Sequence, residues 1–541
     1  MRVIRLYFVG LIVAATVGFV FLATTTVAVA GSSCPDLKQL RLEGATIMSA
    51  TEIAAPFTTT ASGGSGTITV SVEFPFCRVI MRLTPKSDSD IQAEVWLPAA
   101  AHWNRKFLGV GNGGLTGAIW HTSMVRPLQV GYAVANSDLG HTTPNADWAL
   151  GHPEKFIDYA HRADHLTALA AKAIIAAHYG NRPRLSYFHG CSNGGHQALM
   201  EAQRYPQDYD AVVAGAPWNN WTRQVVEFIW RARHMENFNR TKLQMITDAV
   251  VAQCGTKDGG VSTDRYLNDP RICRFNARSL QCKDADGANC LTPQEVASVE
   301  KIYAGPVNPQ TGRQWFPGFA RGSEFGWSDT IATFATDLFR SIVYEQDPAW
   351  DFHSFNFGSD VEFFDGKLAA TINSANPDLT AFRARGGKII EWHGWTDTTL
   401  EPQGSIDYYN SVIALATNHG KGKDRRAALD DTQQFFRLFM VPAVNHCGNG
   451  LGPNSSFAYT LANTAGPNDP DHDVLAALDR WVERGIVPER LISSHFTDGV
   501  KDKTRPICAY PKVARYNGRG DTNDPNSFVC TNDWEAFDRN R

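Results

Sequence analysis

The sequence predicts an α/β fold, a largely parallel sheet with a large inserted lid domain, on three observations. A glycine-bounded turn, Gly190-Cys191-Ser192-Asn193-Gly194, joins an apolar run at 185–188 to a helix-forming run at 197–202. Apolar strand-like runs alternate with helical segments before and just after that turn. The alternation stops near residue 218 and resumes near 386. Strand, helix and strand in this order imply parallel pairing through right-handed crossovers.

Taken in chain order, the first 30 residues stand apart. Arg2 and Arg5 precede an apolar run from Leu6 to about Ala23, and Ala28-Val29-Ala30 has the small-x-small form of a signal-peptidase site. Residues 1–30 are expected to be a secretory signal, with an uncleaved anchor as the alternative; no later stretch is apolar enough to span a bilayer. From Cys34 to about Pro98 apolar and polar residues alternate, as in 67–73 and 91–97, which predicts an antiparallel opening to the sheet. Residues 106–110 lead into Gly111-Asn112-Gly113-Gly114, a glycine-rich loop without the lysine and spacing of a phosphate cradle. After an early strand, such a loop is where one oxyanion-hole N–H is expected, from Gly113 or Gly114, the other coming from Asn193.

Residues 131–137 read as a buried strand, 157–179 as a long helix, and 211–217 as a short strand closed by Pro217. Residues 218–385 carry four cysteines and many aromatics without clear strand–helix alternation. Because the sheet pattern returns afterwards, they are expected to be a lid inserted into a catalytic domain made of 31–217 and 386–541. A strand at 388–392, a helix near 406–415, a strand at 435–441 and a helix at 473–484 complete the pattern.

Composition narrows the partners. A chain of 541 residues with 43% hydrophobic content supports one large core with an insertion. Charged residues make up 20%, the net charge is −4 and no long basic run occurs, so a nucleic-acid partner has no electrostatic footprint. The 14 Trp, 30 Phe and 15 Tyr suit an apolar ligand cleft as well as a core. Ten cysteines in an exported chain fit disulfides, whereas zinc among Cys254, Cys273, Cys282 and Cys290 is disfavoured by the lack of any C-x-x-C pair.

The Ser192 turn has the setting of a nucleophile elbow, in which small neighbours expose a strained serine at a helix N-terminus. A serine hydroxyl is a weak nucleophile and needs a histidine to take its proton and a carboxylate to orient that histidine. In the chain order Ser, Asp, His, the acid and base come from loops after later strands. Asp397 follows the strand at 388–392, and His446 follows the strand at 435–441. Cys191 precedes Ser192 and Cys447 follows His446. A bond between these cysteines requires Cα atoms within about 4.4–6.8 Å and would make nucleophile and base neighbours by covalent constraint. His189, His196 and His393 flank the site, but the first two lie too near Ser192 in the chain to approach it from the opposite side. Asp138, Asp210 and Asp431 read as ordinary loop carboxylates.

With these residues, the chain resembles the tannase and feruloyl esterase family of α/β-hydrolases, which also includes the enzyme that hydrolyses mono(2-hydroxyethyl) terephthalate. The resemblance runs from about Cys34 to Cys530. It rests on Gly190-Cys191-Ser192-Asn193-Gly194-Gly195, on His393-Gly394-Trp395-Thr396-Asp397, on Val441-Pro442-Ala443-Val444-Asn445-His446-Cys447 and on the arrangement of the ten cysteines. It implies an α/β-hydrolase fold with a lid, a triad of Ser192, Asp397 and His446, and a Cys191–Cys447 disulfide beside it. It further implies the pairs Cys34–Cys77, Cys254–Cys273, Cys282–Cys290 and Cys508–Cys530.

The implied activity is that of a secreted or periplasmic serine carboxylester hydrolase acting on esters of hydroxycinnamic or other aromatic acids, as small molecules or on plant polymers. No catalytic cofactor and no membrane partner are implied. The family's lid often holds a structural calcium in a loop that begins Cys-Asp-x-x-Asp-Gly. Here the loop reads Cys254-Gly255-Thr256-Lys257-Asp258-Gly259, so Gly255 replaces one acidic ligand, and Asp258 and Asp264 remain as candidates together with carbonyls and water. A tannase-like gallate esterase, a terephthalate-monoester hydrolase, a peptidase on the same fold and a catalytically silent exported binding protein are the alternative readings.

Overall fold

Strands that are apolar at nearly every position are satisfied only inside a sheet covered on both faces. The computed structural model describes residues 31–63, 66–235, 238–284, 287–345, 347, 349–419, 424–457 and 466–534, so the expected signal at 1–30 lies outside the described residues. The central sheet comprises β1 (Ala45–Ile53), β2 (Phe76–Leu83), β3 (Ile91–Pro98), β4 (Lys106–Val110), β5 (Ala133–Ser137), β6 (Leu185–Cys191), β7 (Ala211–Gly215), β8 (Lys388–Gly394) and β9 (Phe436–Val441). Its spatial order is β1-β2-β3-β5-β4-β6-β7-β8-β9. Pairing is antiparallel from β1 to β5 and parallel from there to β9.

Adjacent residues on each parallel strand feed opposite layers, as the period of two requires. Phe107, Phe188, Val212, Ile389 and Leu438 pack with the helices Ala163–Tyr179 and Gln403–His419. Their neighbours Leu108, Tyr187, Val213, Ile390 and Phe439 pack with the helices His121–Gln129 and Val474–Arg484. The parallel register sets Cys191 opposite Gly215, Gly215 opposite Trp392 and Gly394 opposite Val441. Residues that follow β6, β8 and β9 therefore emerge along one carboxyl edge.

Two local readings are corrected. The alternating run at 67–73 does not enter the large sheet. Gly66–Val72 pairs with Phe57–Gly63 as a separate antiparallel hairpin, and β1, β2 and β3 make the antiparallel opening. A nearby partner satisfies that run's backbone, while β1 pairs past the hairpin with β2. The helix expected at 157–179 begins earlier, at Pro153–Ile157, and widens into a π-turn at Asp158–Arg162 before Ala163–Tyr179. Tyr159 stands on that widened turn, and its hydroxyl donates to the Gly114 carbonyl at 2.8 Å.

β8 pairs directly with β7, from Lys388 opposite Ala211 to Trp392 opposite Gly215, so the sheet continues across the segment 218–385. That segment packs as two units. Met235, Leu243, Ile246, Val299, Phe319 and Trp327 share a cluster of their own. Trp221, Phe228, Phe339 and Phe364 instead belong to the core of the sheet. Five disulfides are present, Cys34–Cys77, Cys191–Cys447, Cys254–Cys273, Cys282–Cys290 and Cys508–Cys530.

Because Phe364 is fully buried and stacks obliquely on Phe339 with 4.8 Å between centroids, Phe364→Ala should remove about 3–5 kcal/mol from global unfolding. Urea titration followed by tryptophan fluorescence should show one shifted transition. An early, separate transition with the main one unmoved would mean that the segment folds apart from the sheet.

Candidate active site

Ser192 follows β6 and caps the helix Asn193–Arg204 with φ 66° and ψ −123°, a conformation that L-residues avoid unless their surroundings fix it. The Ser192 N–H donates to the Gly215 carbonyl, and its own carbonyl accepts from the N–H groups of His196 and Trp218. Neighbouring glycines make the geometry possible. A Cβ on Gly190 would lie 2.4 Å from the Gly194 carbonyl carbon, and one on Gly111 would lie 2.5 Å from the Gly194 Cα. The second approach presses the 111–114 loop against the start of the Ser192 helix.

That loop is held by buried amides. Gln197, on the Ser192 helix, accepts from the Asn112 N–H at 2.8 Å and donates to Asp164 at 2.8 Å. Asn112 donates to the carbonyls of Ala118 and Ser137, and Asn136 donates to the Asn112 side-chain oxygen. The sequence reading placed Gly113, Gly114 and Asn193 here but missed Asn112, Gln197 and Tyr159. No pattern in the sequence marked them, because each acts through a contact between elements.

Asp397 and His446 lie in two loops stitched together. Thr396 N–H donates to Val444 O, Trp395 N–H to Val441 O, and Thr396 Oγ1 to Asn445 Oδ1. A Cβ on Gly394 would meet Val444 O at 2.1 Å, so this approach requires glycine. His446 Nδ1 lies 2.7 Å from Asp397 Oδ2, while Asp397 Oδ1 accepts from the N–H groups of Thr399 and Leu400. A second histidine, His393 at the end of β8, sets its Nε2 3.1 Å from the same Oδ2. Burial alone would raise the Asp397 carboxyl, but attraction to His446 and hydrogen bonds from both histidines hold it well below the usual carboxylate range. The Cys191–Cys447 bond, with 5.8 Å between Cα atoms, ties the serine turn to the histidine loop. Consecutive Cα atoms are 3.8 Å apart, so Ser192 and His446 Cα atoms are separated by at most about 13 Å.

The acid loop also touches the segment 218–385. Arg231 donates to the Thr398 carbonyl, Gln224 accepts from the Glu401 N–H at 2.9 Å, and Thr398 Oγ1 donates to Gly326 O. Other candidates stand elsewhere. His196 is fully buried with Nε2 2.6 Å from the Ile372 carbonyl, and His189 is buried beside Arg126 and Asp473. Asp138 accepts from Gln92 and Gly140 N–H, Asp210 pairs with Arg385, and Asp431 pairs with Arg383.

Glu391, on β8 and fully buried, makes no hydrogen bond of good geometry among the described residues. Burial pushes its carboxyl up to about 8, with the Ser405 hydroxyl working against the rise.

The two expected calcium ligands, Asp258 and Asp264, already have other partners. Asp264 lies 3.1 Å from Arg505 and 3.3 Å from Lys503, so positive charge already faces it. Asp258 accepts from the N–H groups of Gly260, Asn268 and Asp269. The carbonyls that could add ligands are also engaged, Asp258 O by Asn268 Nδ2 and Gly259 O by Tyr516 N–H. Gly255 leaves the loop one carboxylate short. Among the described residues, no group of three or more His, Cys, Asp or Glu could hold a metal ion.

The strand order, with the strained serine turn at the carboxyl edge of the parallel strands, defines an α/β-hydrolase. Residues 77–531 match the family described as tannase and feruloyl esterase. The chain belongs to this family and is a carboxylic ester hydrolase. It is 38% identical to an uncharacterised esterase of Xanthomonas campestris pv. campestris, covering 94% of this chain and 92% of that one. It is 30% identical to a probable feruloyl esterase B-1 of Neosartorya fischeri, covering 86% and 88%. The crystal structure of feruloyl esterase B from Aspergillus oryzae superposes with a TM-score of 0.82 at 27% identity, covering 92% of this chain and 99% of that one.

Three outcomes follow from these electrostatics. Incubation with EDTA should move Tm by no more than ~1 °C, since Asp258 and Asp264 are already engaged by other groups. Arg505→Ala should cost about 1.5–3 kcal/mol by removing the charged hydrogen bonds to buried Asp264, which keeps Lys503 as a cation, and a large EDTA-induced fall in the unmutated protein would reverse this assignment. For Glu391, the unfolded carboxyl ionises above about pH 4.3, whereas the folded one keeps its proton up to about 8. Rising pH therefore costs stability across that window, by roughly 1.4 kcal/mol per unit at most. Glu391→Gln should gain on the unmutated protein in urea melts between pH 5.5 and 7.5, and parallel curves would refute the assignment.

Proposed function

We propose that this chain is an exported serine carboxylester hydrolase in which Ser192, His446 and Asp397 act as a triad on esters of hydroxycinnamic or related aromatic acids. The observation that carries the reading is the His446–Asp397 contact of 2.7 Å on a loop covalently joined, through Cys447 and Cys191, to the residue before Ser192. The Ser192 hydroxyl attacks the ester carbonyl carbon and gives its proton to His446 Nε2. The carbonyl oxygen takes the negative charge, facing the N–H groups of Asn193 and of Gly113 or Gly114. Collapse expels the alcohol, which takes the proton from His446, and leaves an acyl group on Ser192. Water then repeats the sequence and releases the acid.

This chemistry requires no cofactor. Asp397, ionised and held by four donors, keeps Nδ1 of His446 protonated so that Nε2 faces the serine. The acyl preference draws on the feruloyl esterases among the relatives and on the aromatic content of 218–385, which we assign as the lid. Export draws on the N-terminal pattern and the five disulfides.

Ser192→Ala should lower kcat on methyl ferulate by ~10⁴-fold or more while leaving Tm close to the parent value. Turnover near the parent rate in that variant would end the proposal. Rates on methyl ferulate, methyl gallate and mono(2-hydroxyethyl) terephthalate then rank the acyl groups, and a clear preference for either of the last two would revise the substrate alone.

A further inference from the structure

Asp397 is approached by two histidines, and the reaction proposed above uses one. His393 is the penultimate residue of β8, is 1% exposed and comes four residues before Asp397. Its Nε2 lies 3.1 Å from Asp397 Oδ2, the oxygen that is also 2.7 Å from His446 Nδ1. Its Nδ1 lies 2.8 Å from Ser405 Oγ, at the start of the helix Gln403–His419. A carboxylate oxygen can only accept, so Nε2 of His393 carries the hydrogen. With a neutral ring, Nδ1 accepts from the Ser405 hydroxyl, and the tautomer is fixed from behind.

We propose that His393 is a positioning residue: held by Ser405, it donates Nε2–H to the Asp397 oxygen that receives His446 Nδ1–H, and so sets both the direction and the strength of the Asp397–His446 contact. This rests on the triad reading and deepens it. Two donors on one oxygen share its negative charge, so His393 reduces the pull of Asp397 on the His446 proton. It also stops the carboxylate from rotating about its Cβ–Cγ bond when His446 gains a proton. Pairing through the other carboxylate oxygen, which is engaged by Thr399 and Leu400 N–H, is thereby closed to His446.

The charged and titratable groups around the pair come from every element packed on it. Arg231 and Glu227 face it from the helix Trp221–Met235, and Arg231 is close enough for its charge to be felt at Asp397. Glu401 follows on the acid loop, Glu391 lies two residues back on β8, and Tyr408 stands on the helix that carries Ser405. Burial raises the Glu391 carboxyl to about 8 and pushes the Glu401 carboxyl up as well. Between pH 5 and 7, the imidazoles of His393 and His446 are the groups whose hydrogen bonding the proposal concerns.

The test uses the full mature chain and p-nitrophenyl acetate or methyl ferulate. His393→Leu removes the donor at similar volume, His393→Gln retains a donor at the Nε2 position, and Ser405→Ala removes the tautomer lock together with the hydroxyl's effect on the Glu391 carboxyl. His393→Leu is expected to lower kcat by ~30-fold with KM within ~2-fold, and to move the acid limb of kcat/KM about half a unit to higher pH, because Asp397 then acts on His446 alone. His393→Gln should recover to within ~3-fold and restore the acid limb, and Ser405→Ala should lose ~3-fold. A folded His393→Leu with parental kcat and acid limb overturns the proposal. So does equal loss in His393→Gln and His393→Leu. If His393→Leu does not fold, Ser405→Ala decides by the same two readouts, and parental values there overturn it. Mass-spectrometric detection of an acyl group on Ser192 in the unmutated enzyme separates the levels. Acylated Ser192 with indifferent His393 and Ser405 variants rejects the positioning role alone, whereas no acylation of Ser192 rejects the triad and this role with it.

Discussion

The covalent tie between Cys191 and Cys447 is the constraint on which the site depends. It spans 256 residues, so chain-entropy reasoning assigns it about 5 kcal/mol, with the mechanism of that stabilisation dependent on the unfolded state. Its location matters more than its size. β6 and β9 are separated in the sheet by β7 and β8, so the residues after β6 and after β9 meet only by reaching across two strands. The histidine loop does this with a backbone that turns at every opportunity, with positive φ at Ala443, Cys447, Gly448, Asn449 and Gly450. Such a loop left untied would sample many arrangements. Cross-linking it to a serine turn already pinned by Gly215 and the His196 N–H removes that freedom before substrate arrives.

Burial alone does not set the charge of the carboxylates under this loop. Glu391 and Asp397 are six positions apart and both are 0% exposed. Asp397 receives two imidazoles and two backbone N–H groups and stays ionised. Glu391 receives no well-formed hydrogen bond and keeps its proton to about pH 8. The difference lies in the donors, since desolvation penalises both in the same direction. Of these two carboxyls only Asp397 carries charge, and His446 is directed to it.

Much of this was legible in the sequence where chemistry and period agree. The strands β4 to β9 read as continuous apolar runs because both faces are covered, and the Ser192 turn reads through its glycines, since any Cβ at Gly190 or Gly194 would meet a neighbouring backbone within about van der Waals contact. Asp397, His446 and all ten cysteines followed from position at the strand ends and from resemblance. The hairpin at 57–72 was misread because alternation reports a half-buried strand without naming its partner. Calcium was expected from the family resemblance, on Asp258 and Asp264. Arg505 and Lys503, more than 200 positions away, pair with Asp264, and no local pattern could show that. Asn112, Gln197, Ser405 and His393 work through contacts between elements, and their roles are visible only once the loops are brought together.

The segment 218–385 is bound too deeply to swing as one rigid cover. Its first helix, Trp221–Met235, delivers Arg231 to the Thr398 carbonyl and Gln224 to the Glu401 N–H, immediately after Asp397. Arg231 is 1% exposed and has Glu227 as its acidic neighbour. Glu227 travels with Arg231 on the same helix, so what a displaced segment would lose is the contact of this buried guanidinium with the Thr398 carbonyl. The last part of the segment, with Phe339 and Phe364, shares the core of the sheet. Only the portion around 243–327 has a separate cluster, and the Asp264–Arg505 pair fastens even that to the C-terminal strands. Rotation of the whole segment would break the acid loop's supports along with the cover, so the structure couples the two. The helix Trp221–Met235 is therefore part of what keeps Asp397 in place.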